Sequence, residues 1–435
     1  MIRGGTGGVG VTSVRRTGGL VAVSFLSASA LGFILLAVVA RWLETDQNAS
    51  FLVLWAVIFG IGAMMSAIDV ECSRLSSRAD VSGEKVPAQV AFVGCVGGAG
   101  GLVACLVLAA LPGLGAELTS SPGTFVLTLS AVALFAPLCL TRGVLIGTRR
   151  VRAYAVVVVG EALLRITLAL VLWLTSMPPS VPAAVAAVAV GGLAWLPFCG
   201  TVLRAVSWRG RGPAPSWGEA GRNVGSLGAA NGLSTLLMAG YPALVTTVVG
   251  SAQGLQTLFA AVVLTRLPLV ALSPVQAVAV PLATRAIHSG NRSTLRRWWR
   301  RCAEILVPVL AIAAALGWWL GPLAVRVFQG QAYDPHPAMV AGLLAGTCVL
   351  AAALLQLAVV VAADRHLWVT ITWIGATGAA VACLASGIGS AEARGVAAFV
   401  VGATTAYAIS SVAFLRALRR RTGSTVVGVA RPSGQ

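Results

Sequence analysis

The sequence predicts an all-α polytopic membrane protein of twelve transmembrane helices, arranged as two pseudo-symmetric six-helix lobes. Three observations carry that expectation. Of 435 residues, 57% are hydrophobic and only 10% charged, whereas soluble domains carry about 25% charged residues. Apolar windows recur along the whole length, each long enough to cross a hydrocarbon core about 30 Å thick. Basic residues crowd alternate loops, as they do where a chain threads repeatedly through a bilayer.

Residues 1–18 read as a flexible cytoplasmic N-terminus. Their "GTGGVG" (5–10) has the letters of a dinucleotide-binding fingerprint, but only "MIRG" precedes it and no ribose-binding acid follows. "RRTGGLVAVSFLSASA" imitates a secretory leader, yet its apolar run continues past residue 40. That outruns the about 7–15 residues of a leader's apolar region, so it is expected to persist as the first helix. Spans 19–41, 50–70, 87–112, 123–146, 152–175 and 180–204 make an N-lobe over 19–204. In "AVSWRGRGPAPSWGEAGR", Pro, Gly and Arg break the apolar run, which marks 205–222 as a cytoplasmic linker. Spans 224–249, 254–284, 303–326, 337–362, 366–388 and 395–416 make a C-lobe over 223–416, followed by a basic cytoplasmic tail at 417–435. The eighth span is overlong and holds Pro268, Pro274 and Pro281, so it is expected to bend.

The net charge of +18 would suggest nucleic acid in a soluble protein. Here the arginines lie between apolar spans with no aromatic platform, and no nucleic-acid partner is expected. With the N-terminus inside, 26 of the 31 basic residues fall in cytoplasmic segments and three (Arg41, Arg326, Arg394) on the opposite face. This asymmetry predicts both termini in the cytoplasm. Thirty arginines to one lysine, in a chain rich in Ala, Gly and Val, point to a GC-rich bacterial genome and to the bacterial cytoplasmic membrane.

The spans also repeat. An offset of 207 maps Arg222, Gly225, Leu227, Ala229, Leu233 and Ser234 onto Arg15, Gly18, Leu20, Ala22, Leu26 and Ser27. The same offset maps Leu282 and Arg285 onto Leu75 and Arg78. Two six-helix halves in one orientation resemble parallel transporter repeats. The eight cysteines form no CxxC pair and the three histidines (His288, His336, His366) sit on separate loops, so no metal site and no cofactor is expected. External loops of about five to twelve residues leave no room for a catalytic domain, which argues against an enzyme.

Ionisable residues inside spans are functional candidates, because each costs about 2.5–3.5 kcal/mol at a helix centre on insertion scales. Glu161 and Arg165 stand four apart on one face of the fifth span, roughly 14 and 20 Å deep at 1.5 Å per residue. Arg266 enters the eighth span from outside and reaches about 18 Å by the same rise. The two halves are therefore expected to meet in a wet midplane cavity. The competing reading makes Glu161–Arg165 a self-neutralising structural pair. Arg266 has no acid within helical reach on its own segment, and an unpaired guanidinium suits a phosphate or diphosphate. Asn231 and Tyr241 in the seventh span, with Gln256 and Gln276 in the eighth, offer neutral contacts for sugar hydroxyls or, equally, interhelical hydrogen bonds. Asp69, Glu71 and Arg74 close the second span, either as a solvated end or as a gate or coupling group. "NRSTLRRWWRRCAEIL" (291–306) sets Arg296, Arg297, Arg300 and Arg301 around Trp298 and Trp299, and reads as a short interfacial helix on anionic lipid.

Twelve spans in two halves, "TRGVLIGTRRVRAYAVVVVGEALLR" (141–165) and "LTRLPLVALSPVQAVAVPLATRAI" (264–287) resemble the MOP exporter superfamily, in particular its lipid-linked oligosaccharide flippases. The resemblance implies a V-shaped pair of lobes around a cationic cavity worked by alternating access. Arg266, Arg165 and Arg142 fall where such flippases carry cavity arginines. It implies membrane lipid and a polyprenyl-diphosphate-linked glycan as partners, with a glycan polymerase or glycosyltransferase beside them. The drug-exporting MATE branch shares that fold but often has an acid in the first helix, where "GLVAVSFLSASALGFILLAVVA" offers only serines. A cation-coupled antiporter and a non-transporting scaffold of a glycan-export complex are the rival readings.

Overall fold

The computed structural model describes residues 9–207, 216–251, 254–269, 283, 292–363 and 365–419. These are almost entirely helical. The first half runs α1 (Val9–Trp42), α2 (Thr45–Ser82), α3 (Gln89–Ala109), the short α4 (Leu114–Leu118), α5 (Pro122–Gly147) and α6 (Val151–Leu174). The sixth span is composite: α7 (Val181–Gly191), a 3₁₀ stretch (Gly192–Phe198) holding Pro197, and α8 (Cys199–Ala205). The second half runs α9 (Trp217–Met238), α10 (Tyr241–Val249), α11 (Gln256–Thr265), α12 (Arg292–Trp319), α13 (Gly321–Gln329), α14 (Pro337–Ala362), α15 (His366–Ala385) and α16 (Ala391–Arg419).

Ten described helices are long and apolar enough to cross a membrane, eleven when α9 and α10 count as one span bent by 78°. They match the predicted spans one to seven and nine to twelve in order. Of the eighth, Gln256–Leu269 is a shorter apolar helix; apart from Ala283 its remainder, with Pro274, Gln276 and Pro281, lies outside the described residues, as do 208–215 of the linker, 1–8 and 420–435, whereas 9–18 of the expected N-terminal tail belong to α1. The bend in the seventh span falls where Gly240 and Pro242 interrupt the apolar pattern, as expected of residues that disfavour or break helical hydrogen bonding.

Three expectations need correction. Asp69, Glu71 and Arg74 do not close the second span, because α2 continues to Ser82 and stops only at Gly83, in the left-handed region at φ 69°. At 38 residues α2 is about 57 Å long, well over one bilayer core. "NRSTLRRWWRRCAEIL" is not a separate interfacial helix: α12 is continuous from Arg292 to Trp319 and runs through Pro308 without ending there. The ninth span then ends earlier than 326, since Gly321 and Pro322 start a new helix, α13.

Between helices in lipid the hydrophobic effect gives little, so association depends on close backbone approach through small residues. α2 forms the middle of the packing, with Phe51, Leu52, Leu54, Ile58, Met65 and Ile68 fully buried. Gly143 and Gly147 let α5 press onto it: a Cβ on Gly143 would lie 2.6 Å from the Asp69 carbonyl oxygen, and one on Gly147 2.7 Å from that of Ser73. A two-residue parallel pairing, Val86 with Val206 and Pro87 with Ser207, ties the α2–α3 connection to the end of the sixth span. At the arginine-poor end, hydrogen bonds join the two halves. Asn48 Nδ2 donates to the Tyr333 hydroxyl at 2.7 Å, Arg41 Nη2 to the Val327 carbonyl at 2.5 Å, and Gln256 to Asp46.

Candidate functional site

A cavity of about 320 Å³ lies between the halves. Arg142, Glu161 and Arg165 line it from α5 and α6, and Arg266 lines it from the end of α11. Phe25, Phe33, Trp55 and Phe59 from α1 and α2 supply an aromatic wall. Charges from both halves of the sequence therefore face one space.

On the first half's side every charge has a counter-charge. Arg142 sits one residue before Gly143, so the close approach of α5 to α2 sets its Nε 3.7 Å from Asp69 Oδ2. Its Nη1 donates to Glu161 Oε2 at 3.2 Å. The other carboxylate oxygen of Glu161 accepts from Arg165 Nη2, one helical turn along α6. Arg165 Nε donates to the Val188 carbonyl at 3.3 Å, and its guanidinium lies over Phe59 at 4.9 Å and Phe135 at 5.7 Å from the ring centroids. Gly191 makes room for it, since a Cβ there would lie 2.5 Å from Arg165 Cγ. Two carboxylates and two guanidiniums thus form a chain, Asp69–Arg142–Glu161–Arg165, whose formal charge sums to zero. The buried ions need this completeness, because an ion left unpaired in a low dielectric is strongly destabilising.

On the other side stands Arg266. α11 stops at Thr265, three residues before Pro268, and Arg266 follows as its C-terminal cap. Its Nη1 donates to the Ala239 carbonyl at 3.4 Å, where α9 breaks. Its Nε and Nη2 are buried with no hydrogen-bond partner. Among the described residues no carboxylate pairs with it. The charge left over in the cavity is therefore positive, and it belongs to a guanidinium with donors to spare.

Of the neutral candidates, Tyr241, Asn231 and Gln256 do not line this cavity. Tyr241 is fully buried and donates to the Gly395 carbonyl. Asn231 donates to Ser66 Oγ at 3.0 Å, which is an interhelical bond between α9 and α2. Gln256 is bonded to Asp46 at the arginine-poor end, far along α11 from Arg266. Gln276 lies outside the described residues. Glu71 is buried rather than solvated, taking 2.7 Å from Arg74 Nε and 3.5 Å from Asn223 Nδ2 across to α9. Asp69, expected with Glu71 and Arg74, sits instead beside Arg142. Arg296, Arg297, Arg300 and Arg301 are exposed, whereas Trp298 and Trp299 are half-buried, Trp299 stacked on Phe414 at 6.2 Å. The sequence reading missed the Asp69–Arg142 contact, the aromatic wall and Gly191. The four-residue spacing of Gly143 and Gly147 was the one signal for the first, since it marks the face of α5 that meets α2.

No protein-family model and no curated protein matches the sequence. Solved structures do match. A multidrug resistance MATE family transporter of the MOP superfamily, in its inward-facing conformation, superposes with a TM-score of 0.63 at 16% identity, over 91% of this chain and 97% of that one. The fold is that of the MATE transporters of the MOP superfamily. A MOP superfamily transporter from Pyrococcus furiosus, described as having a binding pocket of reverse polarity that suggests a different function, matches at 0.59 and 15% identity over 93% and 96%. The Vibrio cholerae MATE transporter VcmN in its bent form matches at 0.55 and 15% over 94% and 98%. These neighbours are transporters, not enzymes, and at such identities the likeness is one of fold.

Proposed function

We propose that this MATE-fold protein flips a lipid-linked glycan, carried on a polyprenyl diphosphate, across the bacterial cytoplasmic membrane for polysaccharide or envelope synthesis. The observation that carries the reading is Arg266: a buried guanidinium with two unpartnered donor atoms, facing a cavity whose other charges, Arg142, Glu161 and Arg165, are balanced once Asp69 beside Arg142 is counted. A guanidinium fork matches phosphate oxygens, and its charge costs least when an anion arrives to share it. The aromatic wall of Phe25, Phe33, Trp55 and Phe59 suits the less polar faces of a sugar.

In this mechanism the headgroup reaches the cavity from the cytoplasmic side and its diphosphate meets Arg266, with Arg142 and Arg165 opposite. Rocking of one half against the other then exposes the glycan outside while the lipid tail stays in the bilayer. A tenfold swing in access needs only about 1.4 kcal/mol of differential binding between the two states. The arginine asymmetry of the loops supports cytoplasmic termini. Glycosyltransferases or a glycan polymerase would supply and consume such a substrate.

A MATE-like antiporter of organic cations is the second reading, favoured by the fold itself. It requires a cavity of the opposite sign. The Pyrococcus furiosus protein offers a precedent for reversed polarity in this fold. The test is reconstitution of the full chain into vesicles holding a polyprenyl-diphosphate-linked sugar on one leaflet. Arg266→Ala should fold and insert yet lower the flipping rate about 10- to 150-fold, the value of a charge-assisted hydrogen bond. Undiminished flipping by that variant, or cation-driven drug export by the wild type, overturns the proposal.

A further inference from the structure

Glu161 lies between two of the arginines that line the cavity. Each of its carboxylate oxygens accepts from a different arginine, Oε2 from Arg142 and Oε1 from Arg165, so one side chain bridges two guanidinium groups. That is the donor set a phosphate takes when it lies between two arginines. Glu161, Arg142 and Arg165 all line the cavity that Arg266 closes from the other half. An anion drawn in by Arg266 therefore arrives beside a carboxylate already holding the two remaining guanidiniums. Arg142 also keeps a buried Nε without a hydrogen bond, 3.7 Å from Asp69, so its donors are incompletely used before any anion arrives.

We propose that Glu161 is a built-in competitor for the transported phosphate: it neutralises Arg142 and Arg165 while the cavity is empty, yields Arg142 to the arriving diphosphate, and retakes it to expel the headgroup. The proposal rests on the anion-handling reading of Arg266 but adds a distinct claim. Arg165 stays fixed, because Phe59, Phe135, Gly191 and the Val188 carbonyl hold it independently of Glu161. Arg142 is the more loosely held of the two, since apart from Glu161 its partners are Cys139 Sγ at 3.4 Å and Asp69 at 3.7 Å. A carrier gains from this arrangement because binding must be strong enough to load and weak enough to release. Glu161 limits the strength.

A purely structural Glu161 and a competing Glu161 predict opposite results for anion affinity. The measurement is thermal stabilisation of the purified full-length protein by inorganic pyrophosphate, with chloride at matched ionic strength as the control. In Glu161→Gln, which keeps the shape and removes the charge, half-stabilisation should fall to a pyrophosphate concentration at least about fivefold lower than in the wild type. Flipping by the same variant should show a lower KM together with a lower kcat. An affinity that is unchanged or weaker in Glu161→Gln overturns the proposal.

Should Glu161→Gln be too unstable to purify, Glu161→Asp decides the matter: its shorter carboxylate reaches only one of the two guanidiniums, and tighter pyrophosphate binding is again required. Arg266→Ala separates the two claims. Weaker pyrophosphate binding in Arg266→Ala without tightening in Glu161→Gln leaves the anion site and removes the competitor. Tightening in Glu161→Gln with no effect of Arg266→Ala keeps the competitor and removes Arg266 as the anchor. No stabilisation of any form by pyrophosphate removes both.

Discussion

The two halves of the chain meet the cavity with opposite charge arrangements. The first half contributes four ionised side chains, Asp69, Arg142, Glu161 and Arg165, and pairs them all. The second contributes one, Arg266, and gives it a single long hydrogen bond to a carbonyl. Paired charges in a low dielectric keep a structure together, whereas an unpaired one is retained for something that comes and goes. The difference is one of folding cost: removing an arginine from the first side should destabilise the fold, whereas removing Arg266 should cost transport with little loss of stability.

Arg165→Ala should have the largest effect on stability. It leaves Glu161 with Arg142 alone and removes the cation from Phe59 and Phe135, a loss of about 3–5 kcal/mol for a broken buried pair. Denaturant unfolding in detergent measures it, and a loss under 1 kcal/mol would mean that the first half's charges are as dispensable as the second's. Gly191→Ala comes next. Its new Cβ would meet Arg165 Cγ at 2.5 Å, and overpacking of this kind costs about 1–3 kcal/mol. The double variant with Arg165→Ala should recover most of that cost, because the clash is then gone.

Smaller still is Tyr333→Phe, which removes one hydrogen bond between the halves at the arginine-poor end, from Asn48. About 0.5–1.5 kcal/mol should be lost. Because the bond spans the halves, the variant should also make a cysteine placed near Asn48 more accessible to a membrane-impermeant thiol reagent. Arg266→Met should have the least effect on stability, within about 0.5 kcal/mol or even a gain, since the one bond lost is the long one to the Ala239 carbonyl and two unsatisfied donors disappear. A drop in melting temperature comparable to that of Arg165→Ala would erase the contrast.

Much of the fold was legible because span length and loop charge are properties of contiguous sequence. The helical rise placed Glu161, Arg165 and Arg266 at similar depths in their spans, and all three line one cavity. What stayed hidden depends on helices remote in sequence. Nothing near Asp69 announces Arg142, 73 residues away on α5. Tyr241, Asn231 and Gln256 looked like sugar contacts because a polar residue in a span has two uses, and only packing decides between them. The length of α2 was underestimated for a related reason: "VECSRLSSR" reads as a solvated end, yet Glu71 is buried against Arg74 and Asn223. A charged run can belong to a buried helix when a neighbouring helix supplies the polar partner.

The broken seventh and eighth spans have a consequence for Arg266. α9 ends at Met238 and α11 at Thr265, and Arg266 joins the two breaks: its backbone caps α11 and its side chain donates to the Ala239 carbonyl at the end of α9. Each helix terminus presents a partial negative charge of about half an electron, diffuse and fixed in the main chain. A partial negative charge fixed in the main chain thus stands beside Arg266 where a carboxylate would otherwise be needed.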